Sequence, residues 1–342
     1  MKSPICVFSS QTHPRSASTA RLALLLGAAL VLPIQHLQAQ LQTDDFNDGN
    51  DAGWTRYDPF REAGLNGVMS WSFTNGGYRL RTTTKSPSPS GVGPGRGGSL
   101  RSEIYSDFYL AVDIVDWNNS LPQSAGLLAR VQNAGLGSTA GYAFTWDRGN
   151  PNSATSGDVD ISRITGESPA EVSVGGSDRI HLEPGNKYRM VFIGRGQNLE
   201  GRIYEHPDLV NPKLVVSGQD TDPQPYLSGV GGLVIYDNST GSTNVCDITF
   251  DNFYASDIEP PRLHLQDLFF DSWELYWSTE STEFVLQSST VLPGTPTDWT
   301  DLDVFPSGLD GIYRYGFTTN PDVEPGTPPK RFFRLVRRQP AR

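Results

Sequence analysis

Disulfide chemistry is close to excluded from this chain, which has two cysteines, Cys6 and Cys246. Cys6 lies in an N-terminal segment with the marks of a cleaved leader, so the mature chain keeps one thiol and no intramolecular disulfide. That thiol, inside the apolar run NVCDITF, reads as a small buried hydrophobe rather than a reactive group. Histidine is also sparse. Of five, His13 and His36 precede the expected cleavage point, and His181, His206 and His264 lack metal-ligand spacing. No apolar run beyond the leader approaches the ~20 residues a membrane helix needs. There is no G-x-S-x-G elbow and no calcium loop with Gly sixth and Glu twelfth. Gly194-Arg195-Gly196 is a hairpin-turn pattern, not a phosphate loop. A long 3.6-residue stripe is missing too, so no helix is expected.

What is present begins with the leader. Lys2, Arg15 and Arg21 precede the 13-residue apolar run LALLLGAALVLPI, and Leu37-Gln38-Ala39 offers a small residue for cleavage. This is the pattern of a secretory signal over residues 1–39, and it predicts a secreted, periplasmic or cell-surface protein with no membrane span after cleavage. The formal charge is -11, and none of the 38 acidic residues lies in the leader. Nucleic acid is a poor partner for such a chain, because affinity rests on neutralising phosphates. Calcium, neutral glycans and cationic surfaces remain compatible with it.

The remainder, with 35 Gly, 25 Pro and 11% aromatics, reads as many short strands joined by turns. MSWSFT and GYRLRT flank Asn75-Gly76 as a hairpin. SDFYLAVDIVDW, SAGLLARVQN, GYAFTWD, DVDISRIT, KYRMVFIGR, LEGRIYE and PKLVVSGQ continue the pattern. The Ser/Pro/Gly-rich stretch 85–98 reads as an excursion from it. GVGGLVIYD and CDITFDNFYAS, on either side of the turn 238–242, read as strand, tight connection, strand. The acidic-aromatic opening Asp44-Asp45-Phe46-Asn47-Asp48-Gly49 and the segment 247–257 are expected as first and last strands of one sandwich, paired to each other. Pro260-Pro261 marks a linker at 258–261, followed by a small β-sandwich of five or six strands at 262–337. The fold class is therefore all-β: a jelly-roll sandwich over 41–257 and a smaller sandwich module after it.

The order DDFNDG…GW, GLLARVQN, GYAFTWDRG, LEPGNKYRMVFIGRGQNLEGRIYE and GVGGLVIYDNS…DITFDNFYASD resembles the concanavalin A-like (laminin G-like) jelly-roll modules of exported bacterial proteins. The C-terminal segment, with a Trp-containing strand at 273–278 and a terminal RFFRL, is similar to a module at the ends of exported proteins of Verrucomicrobia-type bacteria. The first resemblance implies binding of carbohydrate or protein, often with a structural calcium, and sometimes a glycoside hydrolase site.

Three kinds of site are weighed on this basis, and the third is read as absent. Calcium needs several oxygens at once; the acidic loop 44–51 supplies them, with Asp45 and Asp251 favoured by resemblance and Asp48 beside them. The plainer reading is that these are turn-forming Asp and Asn residues facing water. A sugar needs an aromatic platform among planar polar groups. Trp146 and Asp147 at a strand end, with Tyr142, Arg130 and Arg163, could supply it, and Trp117 with Asn118-Asn119 is a second possibility. Trp and Tyr alternating in a strand otherwise build core. Catalysis would need the E-x-D-x-x-E strand of laminarinase-type jelly rolls. The nearest match is Asp158-Val159-Asp160-Ile161-Ser162-Arg163, where Arg163 replaces the third carboxylate. The expected function is non-catalytic binding of a polysaccharide or surface glycoconjugate. A structural or adhesive protein that binds other proteins is the runner-up, and a glycoside hydrolase ranks third.

Overall fold

The computed structural model describes residues 41–82, 95–148, 157–172, 178–237, 245–268, 272–278, 284–291, 298–302, 304, 312–318 and 331–338. The leader, residues 85–94 of the Ser/Pro/Gly-rich stretch and the turn 238–242 lie outside them. From Gln38 to Arg342 the chain forms one compact unit.

Among the described residues sixteen strands run up to Ser256, most of them built on alternating apolar residues. They are β1 (Gln42–Asp44), β2 (Trp54–Tyr57), β3 (Met69–Thr74), β4 (Gly77–Thr82), β5 (Arg96–Tyr105), β6 (Phe108–Trp117), β7 (Gln123–Gln132) and β8 (Ala140–Asp147). Then come β9 (Asp158–Thr165), β10 (Ser168–Glu171), β11 (Asp178–Arg179), β12 (Tyr188–Arg195), β13 (Asn198–Glu205), β14 (Leu214–Gln219), β15 (Gly229–Asp237) and β16 (Asp247–Ser256). The first sheet runs β14-β13-β12-β6-β16-β4-β3, with β1 on β16. The second runs β10-β9-β8-β7-β15-β5-β2, with β11 on β9. Their facing side chains make one core: Phe144 of the second sheet lies 5.8 Å from Phe192 of the first, and Trp146 lies 6.0 Å from Trp117. This is a jelly-roll sandwich.

The expected pairing of first and last strands is present, with Asp44 opposite Phe253. Only Gln42–Asp44 is strand, however; Asp45 onward turns, because successive Asp and Asn side chains cap the amides two residues on. The β3–β4 hairpin forms with Asn75 and Gly76 both at positive φ, 52° and 79°, the geometry that favours Asn-Gly in a two-residue hairpin. β15 and β16, consecutive in sequence, belong to opposite sheets and do not pair. One helical turn was not expected: α1 (Pro59–Glu62), capped by the Asp58 carboxylate on the Arg61 amide. Asp-Pro ahead of Glu is a helix-start signal, too short here to show periodicity. Cys246 is fully buried, as expected for its apolar run.

Among the described residues six further strands follow: β17 (His264–Asp267), β18 (Ser272–Ser278), β19 (Phe284–Ser289), β20 (Thr300–Asp301), β21 (Ile312–Thr318) and β22 (Phe332–Arg337). They form two three-stranded sheets, β17-β18-β21 and β20-β19-β22, around Leu275, Trp277 and Leu286. Trp277 of this module is buried. No described strand beyond 262 pairs with the jelly roll. The connecting segment is nonetheless anchored, since Glu259 accepts from Arg202 at 2.6 Å and Arg262 donates to the Val210 carbonyl at 2.9 Å.

Candidate functional site

The residues expected to carry a sugar site separate into three places. Tyr142, Phe144 and Trp146 alternate inward on β8, and both Tyr142 and Trp146 are completely buried. Trp146 donates its indole N–H to the Ile180 carbonyl at 3.1 Å. Neither ring is open to a sugar. The second possibility, Trp117, is buried with them.

Arg130, Tyr142 and Arg163 do meet, as a structural network. A bulge in β7 places Arg130 at φ 49° and turns its side chain into the end of the sandwich. There it donates to the carbonyls of Ser106 (2.7 Å), Gly196 (2.6 Å) and Tyr226 (3.0 Å) and lies 5.1 Å from the Phe108 ring centroid. Burial lowers its pKa. Asp220 accepts from the Tyr142 hydroxyl at 2.5 Å and from Arg163 Nε at 3.2 Å. Burial and the Asp220 hydrogen bond push the Tyr142 phenol up. The network holds the 220–228 segment to the sheet ends.

Asp147 alone of these faces outward, into a groove of about 250 Å³ on the second sheet. Strand register dictates its floor. One cross-strand row reads Arg96, Tyr236, Ser124, Asp147. The next reads Tyr57, Gly98, Val234, Gly126, Thr145, Asp160, and a third Leu100, Gly232, Leu128, Ala143, Ser162. Val234 thus sits between two glycines. A Cβ at Gly98 would stand 1.9 Å from the Leu233 carbonyl oxygen, and one at Gly126 would stand 2.0 Å from that of Phe144. The strands press together there, and the missing side chains hollow the floor.

Polar groups ring that apolar floor. Asp160 accepts from the Ser162 hydroxyl at 3.0 Å, and burial raises its carboxyl above the usual range, with the charges of Glu171 and Asp158 adding to the shift. Tyr236 is half-buried, and its phenol is raised by burial. At the far end Glu167, in the β9–β10 turn, takes Arg96 Nε at 3.0 Å and Nη2 at 2.5 Å, the Tyr57 hydroxyl at 3.1 Å and the Gly137 amide at 2.6 Å. The hairpin is thereby tied to the opposite side of the sheet. The sequence marked Asp147 and Asp160 but missed Tyr236, Ser124 and Arg96. Their signal was outward parity on neighbouring strands, which requires the sheet order to read.

On β9 the regular register puts Asp158, Asp160 and Ser162 outward and Arg163 inward. Asp158 pairs with Arg179 at 2.6 Å. Arg163 is therefore committed to Asp220 on the other face, and among the described residues no third acid completes an E-x-D-x-x-E arrangement.

At the β1–β16 junction, Asp45 Oδ1 caps the Asn47 amide (3.2 Å) and Asp48 Oδ1 the Asn50 amide (3.1 Å). A bulge puts Asn252 at φ 51° beside Asp251. The Asp251 carboxyl is raised by burial, then by the charges of Asp113 and Asp45. Among the described residues no three His, Cys, Asp or Glu side chains gather as a metal group. Any ion here would draw on two carboxylates, with backbone carbonyls and water for the rest.

No protein-family model matches the chain, and no curated protein matches it. Among solved structures it is similar to a carbohydrate-binding module from Bacillus subtilis (17% identity, TM-score 0.41, 60% of this chain and 97% of the other). It is also similar to lectin II from Ulex europaeus (12%, 0.41, 64% and 98%) and to a glycosidic hydrolase (10%, 0.44, 65% and 97%). Likenesses of this degree carry no ligand across; the fold rests on the strand order itself.

Proposed function

We propose that this is an exported, non-catalytic binding protein for a polysaccharide or surface glycoconjugate, which it takes in the outward groove of the second sheet. The observation that carries the reading is the groove's construction: an apolar floor lowered by Gly98 and Gly126, flanked by Tyr57 and Tyr236, with Asp147, Asp160 and Ser162 on its rim. A sugar ring offers an apolar face and a belt of hydroxyls, which such a floor and rim complement. Retention of the protein on immobilised polysaccharides, with free reducing ends assayed in each supernatant, tests it. Retention without release supports the reading, and Tyr236→Ala should abolish it. Protein adhesion replaces it if no glycan is retained.

One observation favours a second reading, a glycan-cleaving enzyme. Asp147 and Asp160 face the groove as diagonal neighbours on adjacent strands. Such neighbours stand about 7–8 Å apart at their Cα atoms, close enough for their two carboxyl groups to flank one glycosidic bond. Asp160, with its raised carboxyl, would be the acid and Asp147 the base. Released reducing ends would establish this reading over the first.

The proposal includes a calcium ion at the β1–β16 junction on Asp45 and Asp251, with Asp48 adjacent; its positive charge would relieve the repulsion at Asp251. It also includes cleavage of the leader near Ala39, which N-terminal sequencing of the exported protein would verify, and a Verrucomicrobia-type C-terminal module.

A further inference from the structure

Resting on the glycan-binding reading, we infer that the groove selects N-acetylated amino sugars, seating the acetamido group in a notch over Gly126 with the Ser124 hydroxyl donating to its carbonyl oxygen.

Three observations converge. The first is the run of outward residues along β7: Ser124, Gly126 and Leu128 share one face, as alternate residues of a strand do. Across the neighbouring strands Val234 and Thr145 flank Gly126, and Tyr236 flanks Ser124. Those three flanking residues are partly exposed, whereas Ser124 and Leu128 are 3% and 2% exposed. A notch therefore opens over Gly126, walled by Val234 and Thr145, polar at its Ser124 end and apolar at its Leu128 end. The second is that the protein cannot fill this notch from below, since a Cβ at Gly126 would meet the Phe144 carbonyl oxygen. The third is Ser124 itself. It lines the groove, and its hydroxyl oxygen has no hydrogen-bond partner among the described residues. A buried hydroxyl left this way costs free energy that a ligand can recover.

An acetamido substituent matches each part of the notch. Its carbonyl oxygen accepts from the Ser124 hydroxyl, its methyl covers Gly126 beside Val234 and Leu128, and its flat amide lies against the Tyr236 ring. A plain sugar hydroxyl at that position can bond Ser124, but it leaves the apolar end of the notch without contacts. A free amine brings an ammonium charge against Val234 and Leu128, where its lost hydration is not repaid. The selection is therefore made by shape and apolar contact and fixed in direction by one hydrogen bond.

The test is calorimetric titration of the full chain with a fully N-acetylated chito-oligosaccharide, its fully deacetylated counterpart and a gluco-oligosaccharide of the same length. The expected result is binding of the acetylated form about tenfold tighter than either other ligand, the size of one hydrogen bond together with one buried methyl. Added salt should leave the preference over the gluco-oligosaccharide unchanged, since neither ligand is charged. Ser124→Ala should cut that preference to about threefold or less. Its melting temperature should not fall, because the hydroxyl it removes has no partner in the free protein, so the loss is one of recognition and not of folding. Equal or tighter binding of the deacetylated or gluco form would overturn the inference and keep the glycan reading, and so would a full tenfold preference in Ser124→Ala. Binding of none of the three would overturn the inference alone if another polysaccharide retains the protein, and both readings if none does.

Discussion

Glu167 and Arg96, 71 residues apart in sequence, form a two-point ion pair that ties the β9–β10 turn to β5 at the end of the groove. Both side chains are largely covered, 8% and 15% exposed. Removing one partner of such a pair leaves a buried charge behind and typically costs about 3–5 kcal/mol. Glu167→Ala should therefore lower unfolding free energy by about 3 kcal/mol in urea titration. A cost under about 0.5 kcal/mol would mean the pair is a solvated surface contact.

The Tyr142–Asp220–Arg163 network is predicted to matter for stability and not for ligand. Tyr142→Phe leaves Asp220 short of a donor in a covered site and should cost about 1–3 kcal/mol. Trp146→Ala should cost about 3–5 kcal/mol as a large core truncation. Where the variants remain folded, glycan retention should be unchanged. Loss of retention by a folded Tyr142→Phe protein would return the site to the residues the sequence first suggested.

Much of the fold was legible because it rests on local rules. Asn75-Gly76 specifies its hairpin, and alternation in DFYLAVDIV and GYAFTWD specifies strands. The site was less so. Parity along β8 correctly grouped Tyr142 with Trp146, but one strand cannot say which of its faces meets the other sheet. The bulky face proved to be core, and the small face Ala143, Thr145 and Asp147 proved to be groove. The same limit applies to β15 and β16, whose adjacency in sequence suggests a hairpin while the chain crosses between sheets.

The groove floor should resist enlargement. Gly126→Ala would place a methyl 2.0 Å from the Phe144 carbonyl oxygen, a backbone atom that cannot step aside cheaply. A loss of about 3 kcal/mol or more is expected, at the upper end for overpacking. Thermal unfolding of Gly126→Ala beside Gly64→Ala, where no atom lies within 4 Å but φ is +76°, separates crowding from backbone strain; Gly126→Ala should be the worse.

The Asp160 carboxyl is raised by burial, so the folded state binds more protons than the unfolded chain just above the ordinary carboxylate range. Stability should fall as pH rises through that window. Asp160→Asn removes the ionisable group while keeping an acceptor for Ser162. It should flatten this part of the stability–pH curve and leave the protein no less stable at neutral pH. A wild-type curve that rises through the same window would contradict the assignment.

Calcium at the β1–β16 junction predicts a melting temperature that rises in millimolar calcium and falls with chelator, by mass action on the folded state. Asp251→Asn should remove the response. A melting temperature indifferent to both additions would eliminate the site.

The central claim is that ligand enters the outward groove of the second sheet. Affinity electrophoresis through polysaccharide-containing gels, run side by side on wild type, Tyr236→Ala and Tyr142→Phe, tests it most directly. The account predicts retardation of wild type and Tyr142→Phe by the same polysaccharide and free migration of folded Tyr236→Ala. Retardation of Tyr236→Ala equal to wild type would contradict it.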